Sequence, residues 1–185
     1  MDALTALHTR NSTNLLTEPG PDKEQLNNII KAGLKACDHG WLRPWRFIVI
    51  EGEARNKFGL LLEASKEAIE GHKLSPEQSQ KVRNKALRAP TIITVIAKTT
   101  EHPKVPEIEQ IMSAAASAQM MVTAAHAQGI GAIWRSGDVM FEETMKLGLN
   151  LKGNESIVAF IYLGTVKSQK ALVELNSQDF VEYLK

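Results

Sequence analysis

The chain has 185 residues and a net charge of +1, from 22 basic and 21 acidic side chains. So small an excess gives no general electrostatic grip on nucleic acid, and any anion site has to be local. Hydrophobic residues at 43% and charged residues at 23% are the balance of a globular chain, and the length suits one domain, residues 1–185, with a full core. The single cysteine, Cys37, excludes an intramolecular disulfide and fits a reducing compartment. Met1 to Arg10 lacks the apolar core and cleavage site of a secretion signal. No apolar run approaches the roughly 18 to 20 residues of a membrane span, so the expectation is a cytoplasmic protein with no membrane partner.

In chain order, Met1 to His8 predicts a short helix, and a polar loop follows through Asn11 to Pro21. Asp22 caps the next helix with Gln25 completing the box. Leu26, Ile29, Ile30, Gly33, Leu34 and Cys37 then recur at helical spacing, which predicts one buried stripe and a packed, inert thiol. Arg43-Pro44 closes a loop, and Phe47-Ile48-Val49-Ile50 reads as a strand covered on both faces. Helices are predicted over Glu53 to Glu70 and from Ser75, with Pro76 at the first helical position and Gln78 as cap partner. Thr91 to Ala97 is a strand. Glu107 to Gln128 is a long helix, apolar nearly all round, that belongs in the centre of the molecule or in a seam between subunits. Gly129 ends it, Ile130 to Trp134 is a brief strand, Asp138 caps a helix stopping near Gly148, and Ile157 to Leu163 is the last strong strand. The tail from Ser168 to Lys185 is weakly patterned, suited to an extension or to reaching a partner subunit. Strands with helices between and around them indicate a layered α/β or α+β sandwich.

Three clusters offer chemistry. Arg10-Asn11-Ser12 presents a guanidinium, an amide and a hydroxyl in succession, a receptor for a phosphate or else an ordinary solvated turn. Lys35, His39, Trp41, Arg43 and Trp45 combine cations with indoles, suited to enclosing a flat, electron-rich ligand, although Trp45 suits a core plug and His39 a helix cap equally. Trp134-Arg135-Ser136 follows an apolar strand, a rigid place for a ligand site. Metal-ligand spacing, a Gly-x-Ser-x-Gly elbow, a Walker A loop and a Rossmann fingerprint are all absent from the sequence.

Taken together, the clusters resemble the nitroreductase family of FMN-dependent oxidoreductases. The resemblance is carried by Met1-Asp2-Ala3-Leu4 with Arg10-x-Ser12, Ala36-Cys37-Asp38-His39, Pro44-Trp45-x-Phe47 and Arg88-Ala89-Pro90. Ala127-Gln128-Gly129 through Trp134-Arg135-Ser136-Gly137 and Tyr162-Leu163-Gly164-Thr165 complete it. It implies an α+β three-layer sandwich, with a central mixed β-sheet flanked by helices, in an intertwined homodimer. FMN would lie at the subunit interface, its phosphate held by Arg10, Asn11 and Ser12. Trp134, Arg135 and Ser136 would approach the flavin from the same chain, and Lys35 and His39 from the other. The implied activity is ping-pong transfer of a hydride from NAD(P)H through flavin N5 to a small aromatic acceptor, a nitroaromatic or a quinone, with no catalytic side chain and no metal. The same fold also allows a non-catalytic module that stores or senses FMN, or an enzyme that fragments reduced flavin with oxygen. Asn11 and Lys35 stand where the family usually has arginine, which removes bidentate partners from an anion.

Overall fold

In the computed structural model, which describes residues 1–168 and 171–184, two buried clusters lie on opposite faces of a five-stranded sheet. The strands are β1 (Leu16–Thr17), β2 (Trp45–Glu51), β3 (Thr91–Lys98), β4 (Gly131–Arg135) and β5 (Glu155–Val166). One face carries α2 (Lys23–Gly33) and α5 (Glu107–Ala127), packed through Ile29, Met121, Val122 and Ala125 onto Ile93, Ala159 and Ile161. The other carries α3 (Ala54–Glu70), α4 (Pro76–Arg83) and α6 (Glu143–Gly148), packed through Phe58, Leu62, Val82 and Met145 onto Ile92, Phe160 and Tyr162. A short α1 (Ala3–Thr9) completes the helices, so the three layers expected from the sequence are present.

The strand directions refine the expected mixed sheet. Among the described residues every pair of neighbouring strands is antiparallel: β1 with β5, β2 with β3, β3 with β5 and β4 with β5. The connections explain this. Two helices, α3 and α4, separate β2 from β3 and return the chain to the end it left. A single helix, α5, links β3 to β4, which therefore point the same way; β5 then inserts between them, antiparallel to both. The register of β5 against β3 shifts at Val158, between the pairs Val95↔Ala159 and Ile96↔Ile157. This bulge puts Ile157 on the same face as Phe160 and Tyr162.

Local signals act where they were read. Asp22 and Gln25 form a reciprocal capping box, and Ser75 and Gln78 form another behind Pro76. Gly129, at φ 77°, takes the left-handed conformation that terminates α5. Four expectations change. Strand β2 is an edge of the sheet, and Val49 on it is 37% exposed instead of covered. Helix α2 stops at Gly33, so Leu34 and Cys37 leave the stripe and Cys37 is exposed. Asp138 begins only a brief 3₁₀ turn, and Glu142 caps α6. The two-residue β1 lies within the predicted polar loop. In the tail, Gln169, Lys170 and Lys185 lie outside the described residues; the rest is exposed, with one 3₁₀ turn at Ser177–Phe180.

Candidate functional site

The first cluster is suspended between α5 and β4. The Asp2 side chain caps α1 by accepting from the Thr5 amide. At the other end of α1, Thr9 Oγ1 lies 2.9 Å from His126 Nε2, in the last turn of α5. Four residues past the end of α1, the Thr13 amide donates to the Ala132 carbonyl on β4 at 3.0 Å. Arg10, Asn11 and Ser12 are the bridge between these two anchors. Of the three, Asn11 lines a cavity of about 320 Å³ together with Thr9, Thr13, His126 and Gly131, and its side chain donates to the Ala171 carbonyl of the tail at 3.4 Å. Both α1 and α5 present their C-terminal ends here, where the helix dipole disfavours an anion. Burial, and then the nearby Arg10 charge, push the His126 imidazole below its usual range. Arg10 carries the full positive charge of this loop, and that charge is felt at His126.

The third cluster sits about 13 Å further along, four residues down β4 at strand rise. Alternation along the strand decides where each side chain goes. Trp134 packs toward α2 and α5, whereas Ile133 packs toward α3. Arg135 follows Ile133, and its guanidinium carbon lies 5.7 Å from the centre of the buried Tyr162 ring. Arg135 Nε is buried with no hydrogen-bond partner among the described residues. Burial first, and the Arg88 charge second, lower the Arg135 pKa from its ordinary value. Burial raises that of the Tyr162 phenol, while Arg135 and Arg88 pull it back. Arg135 and Ser136 open on a cleft of about 350 Å³, within the roughly 300–1,000 Å³ of small-molecule sites.

The second cluster is elsewhere. Lys35 is exposed just past α2, its amide bonded to the Ala32 carbonyl. His39 does not cap α2; it lies in a 3₁₀ turn, and its Nδ1 is 2.7 Å from Glu109 Oε2 in the first turn of α5. Trp41 and Arg43 follow with positive φ, 57° and 47°, the guanidinium 5.5 Å from the exposed indole. The Arg43 amide is pinned by Asp38 Oδ2 at 2.6 Å. Trp45 is the core plug, 8% exposed. From Glu109 to His126 is 17 helical residues, about 25 Å. One chain therefore brings Arg10, Asn11 and Ser12 onto the same strand as Trp134, Arg135 and Ser136, but leaves Lys35 and His39 at the far end of α5. Thr9, Arg88 and Tyr162 join the site without having been singled out for it. Arg88 lay inside a motif, and only the strand register shows that Tyr162 faces Arg135.

A three-layer α+β sandwich whose edge strand carries an N-terminal cationic loop at one end and an arginine cleft at the other has the nitroreductase-like fold. Across 98% of this chain and 95% of the other, it matches the crystal structure of a nitroreductase-like family protein from Bacillus cereus, with a TM-score of 0.83 at 19% identity. It matches a nitroreductase of Desulfovibrio desulfuricans solved in complex with FMN across 98% and 96%, with a TM-score of 0.74 at 23% identity. The chain belongs to the Nitroreductase family, whose sequence profile matches residues 8–165. It is 44% identical to the protein named "Putative NAD(P)H nitroreductase YdjA" of Escherichia coli K12, over 99% of this chain and the whole of that one.

Proposed function

We propose that this chain is an FMN-dependent oxidoreductase that takes electrons from NAD(P)H and passes them to a small aromatic acceptor. The carrying observation is strand β4, which has the Arg10 loop anchored near one end through Thr13 and Ala132 and, at the other, Arg135, whose buried Nε has no hydrogen-bond partner among the described residues. The residues fit the group. A guanidinium suits a phosphate, Asn11 and Ser12 add an amide and a hydroxyl, and Trp134 offers apolar surface beside the strand end. The full-length identity to a named NAD(P)H nitroreductase, and the fold shared with a structure containing FMN, support the same reading.

When bound, FMN supplies two-electron redox chemistry that visits donor and acceptor in turn, the ping-pong order. The chain's own work is binding and placement. Arg10 holds negative charge at the tail of the cofactor; Arg135 holds positive charge near the ring, where a reduced flavin is anionic; the tail at Ala171 restrains Asn11. No side chain is needed as a nucleophile. Lys35 and His39 serve in this reading from a second copy of the chain, because 25 Å of helix keeps them from the site of their own (about 17 residues at 1.5 Å each). The protein is then a homodimer with two shared sites.

The test is direct. The purified protein should be a yellow dimer that binds FMN, and its visible absorption should bleach on mixing with NADPH or NADH and recover on adding a nitroaromatic or quinone. Flavin that binds but never bleaches would assign the chain to storage or sensing instead. Arg10→Ala should weaken FMN retention by about tenfold or more, the loss of a charge-assisted contact, as measured by equilibrium dialysis. Undiminished affinity would remove Arg10 from the site.

A further inference from the structure

Lys85, Arg88 and Arg135 converge on the cleft beside the end of β4, and no carboxylate pairs with any of their side chains among the described residues. Several other cations of the chain do have carboxylate partners. Arg46 is paired with Glu155, Arg55 with Glu18, and Arg83, only two residues before Lys85, with Glu63. Lys66 also lines the cleft, but Glu70 and Asp138 hold it at 2.9 and 3.0 Å. Asp138 is the one acidic residue on the cleft wall, and that ion pair occupies it. Two guanidiniums and an ammonium thus face one space with no ion pair of their own among the described residues, although the Lys85 charge is felt at Asp138. Its floor is apolar and aromatic, built from Leu62, Val82, Phe160 and Tyr162. Arg135 Nε, buried and without an acceptor, points to a missing partner at the inner end.

We propose that this cleft is a binding site for a phosphate group carried by a small molecule. Three cations, two of them planar forks that hold oxyanions bidentately, match a dianion better than a single carboxylate. The aromatic floor receives the portion of the ligand attached to the phosphate. The cleft opens on the α3 and α4 side of the sheet and shares Arg135 with the flavin reading, so the inference rests on that reading and deepens it. Two sources share the chemistry: the 2′-phosphate of NADPH, in which case the site sets a preference for NADPH over NADH, or a separate phosphorylated metabolite.

Lys85 and Arg88 are exposed, and neither side chain makes a hydrogen bond among the described residues, so the double variant Lys85→Ala/Arg88→Ala should fold. Calorimetric titration of FMN-loaded protein with inorganic phosphate, against chloride at equal ionic strength, should show binding that the double variant weakens by about tenfold or more. No phosphate binding beyond the chloride control, or equal affinity in the variant, overturns the site. Where the phosphate isotherm is lost, a fall of about tenfold in the NADPH-to-NADH ratio of kcat/KM assigns the phosphate to the reductant. An unchanged ratio assigns it to a separate ligand. If the variant loses its flavin, the cleft holds the FMN phosphate; the inference falls while the oxidoreductase reading stands. A wild type that takes up no FMN ends that reading, and the phosphate titration is then decided on the apoprotein alone.

Discussion

Glu155 shows how much one buried ion pair contributes at the residue scale. Its side chain is 2% exposed, and both oxygens accept from Arg46, at 2.7 and 2.8 Å. Arg46 first, helped by the Lys152 amide, holds the carboxyl down to about 2, from an ordinary 4.5, against the opposing effect of burial. A depressed carboxylate stabilises the fold above its unfolded pKa and loses that contribution as the pH falls through its folded value. The protein should therefore lose stability progressively between pH 4.5 and about 2. Glu155→Gln should cost about 3 kcal/mol at pH 7, because it leaves Arg46 without its anion, and should flatten that acid limb. Thermal melts of both proteins from pH 7 to 2.5 check the size and the sign. Arg135 is the opposite case, a half-buried cation whose Nε has no hydrogen-bond partner among the described residues. That contrast gives its cleft chemical meaning.

At the scale of elements, close approach of backbones sets the α3–α4 pairing. A Cβ added at Gly59, in the middle of α3, would stand 2.9 Å from the Arg83 carbonyl oxygen and 3.4 Å from its Cα. Alanine is the better helix former by about 1 kcal/mol, but a clash with backbone has no flexible end to yield, and overpacking of this kind costs about 1–3 kcal/mol. Gly59→Ala should thus be net destabilising, with a lower denaturant midpoint and an unchanged slope.

Helix starts were the most legible part of the sequence, because a cap is made within four residues: Asp22 with Gln25, and Ser75 with Gln78, need nothing from the rest of the chain. Features decided by distant partners were not legible. Asp138 has the chemistry of a cap, yet its carboxylate goes to Lys66 on α3. The apolar spacing of α2 continues past Gly33 to Leu34 and Cys37 although the helix does not. The edge position of β2 depends on which strand β3 pairs with on its other side. Of the site, the residue types at Arg10, His39 and Arg135 could be read. Their separation could not, since it is set by the length of α5 and the pairing of β4.

For the molecule as a whole, the described helices include none long and apolar enough to cross a membrane. In one of the two helical layers on the sheet, α5 is a long strut that touches α1 at one end and the His39 turn at the other. That strut fixes the distance between two binding fingers, and in the proposed dimer each pocket borrows one finger from each chain. A genetic consequence follows. Mix a chain carrying Arg10→Ala with a chain carrying His39→Ala, and every hybrid has one pocket with both lesions and one with neither. Two parents that each retain flavin weakly should then yield hybrids in which half of the sites bind flavin as tightly as the unaltered dimer, whereas sites housed within single chains would show no such rescue.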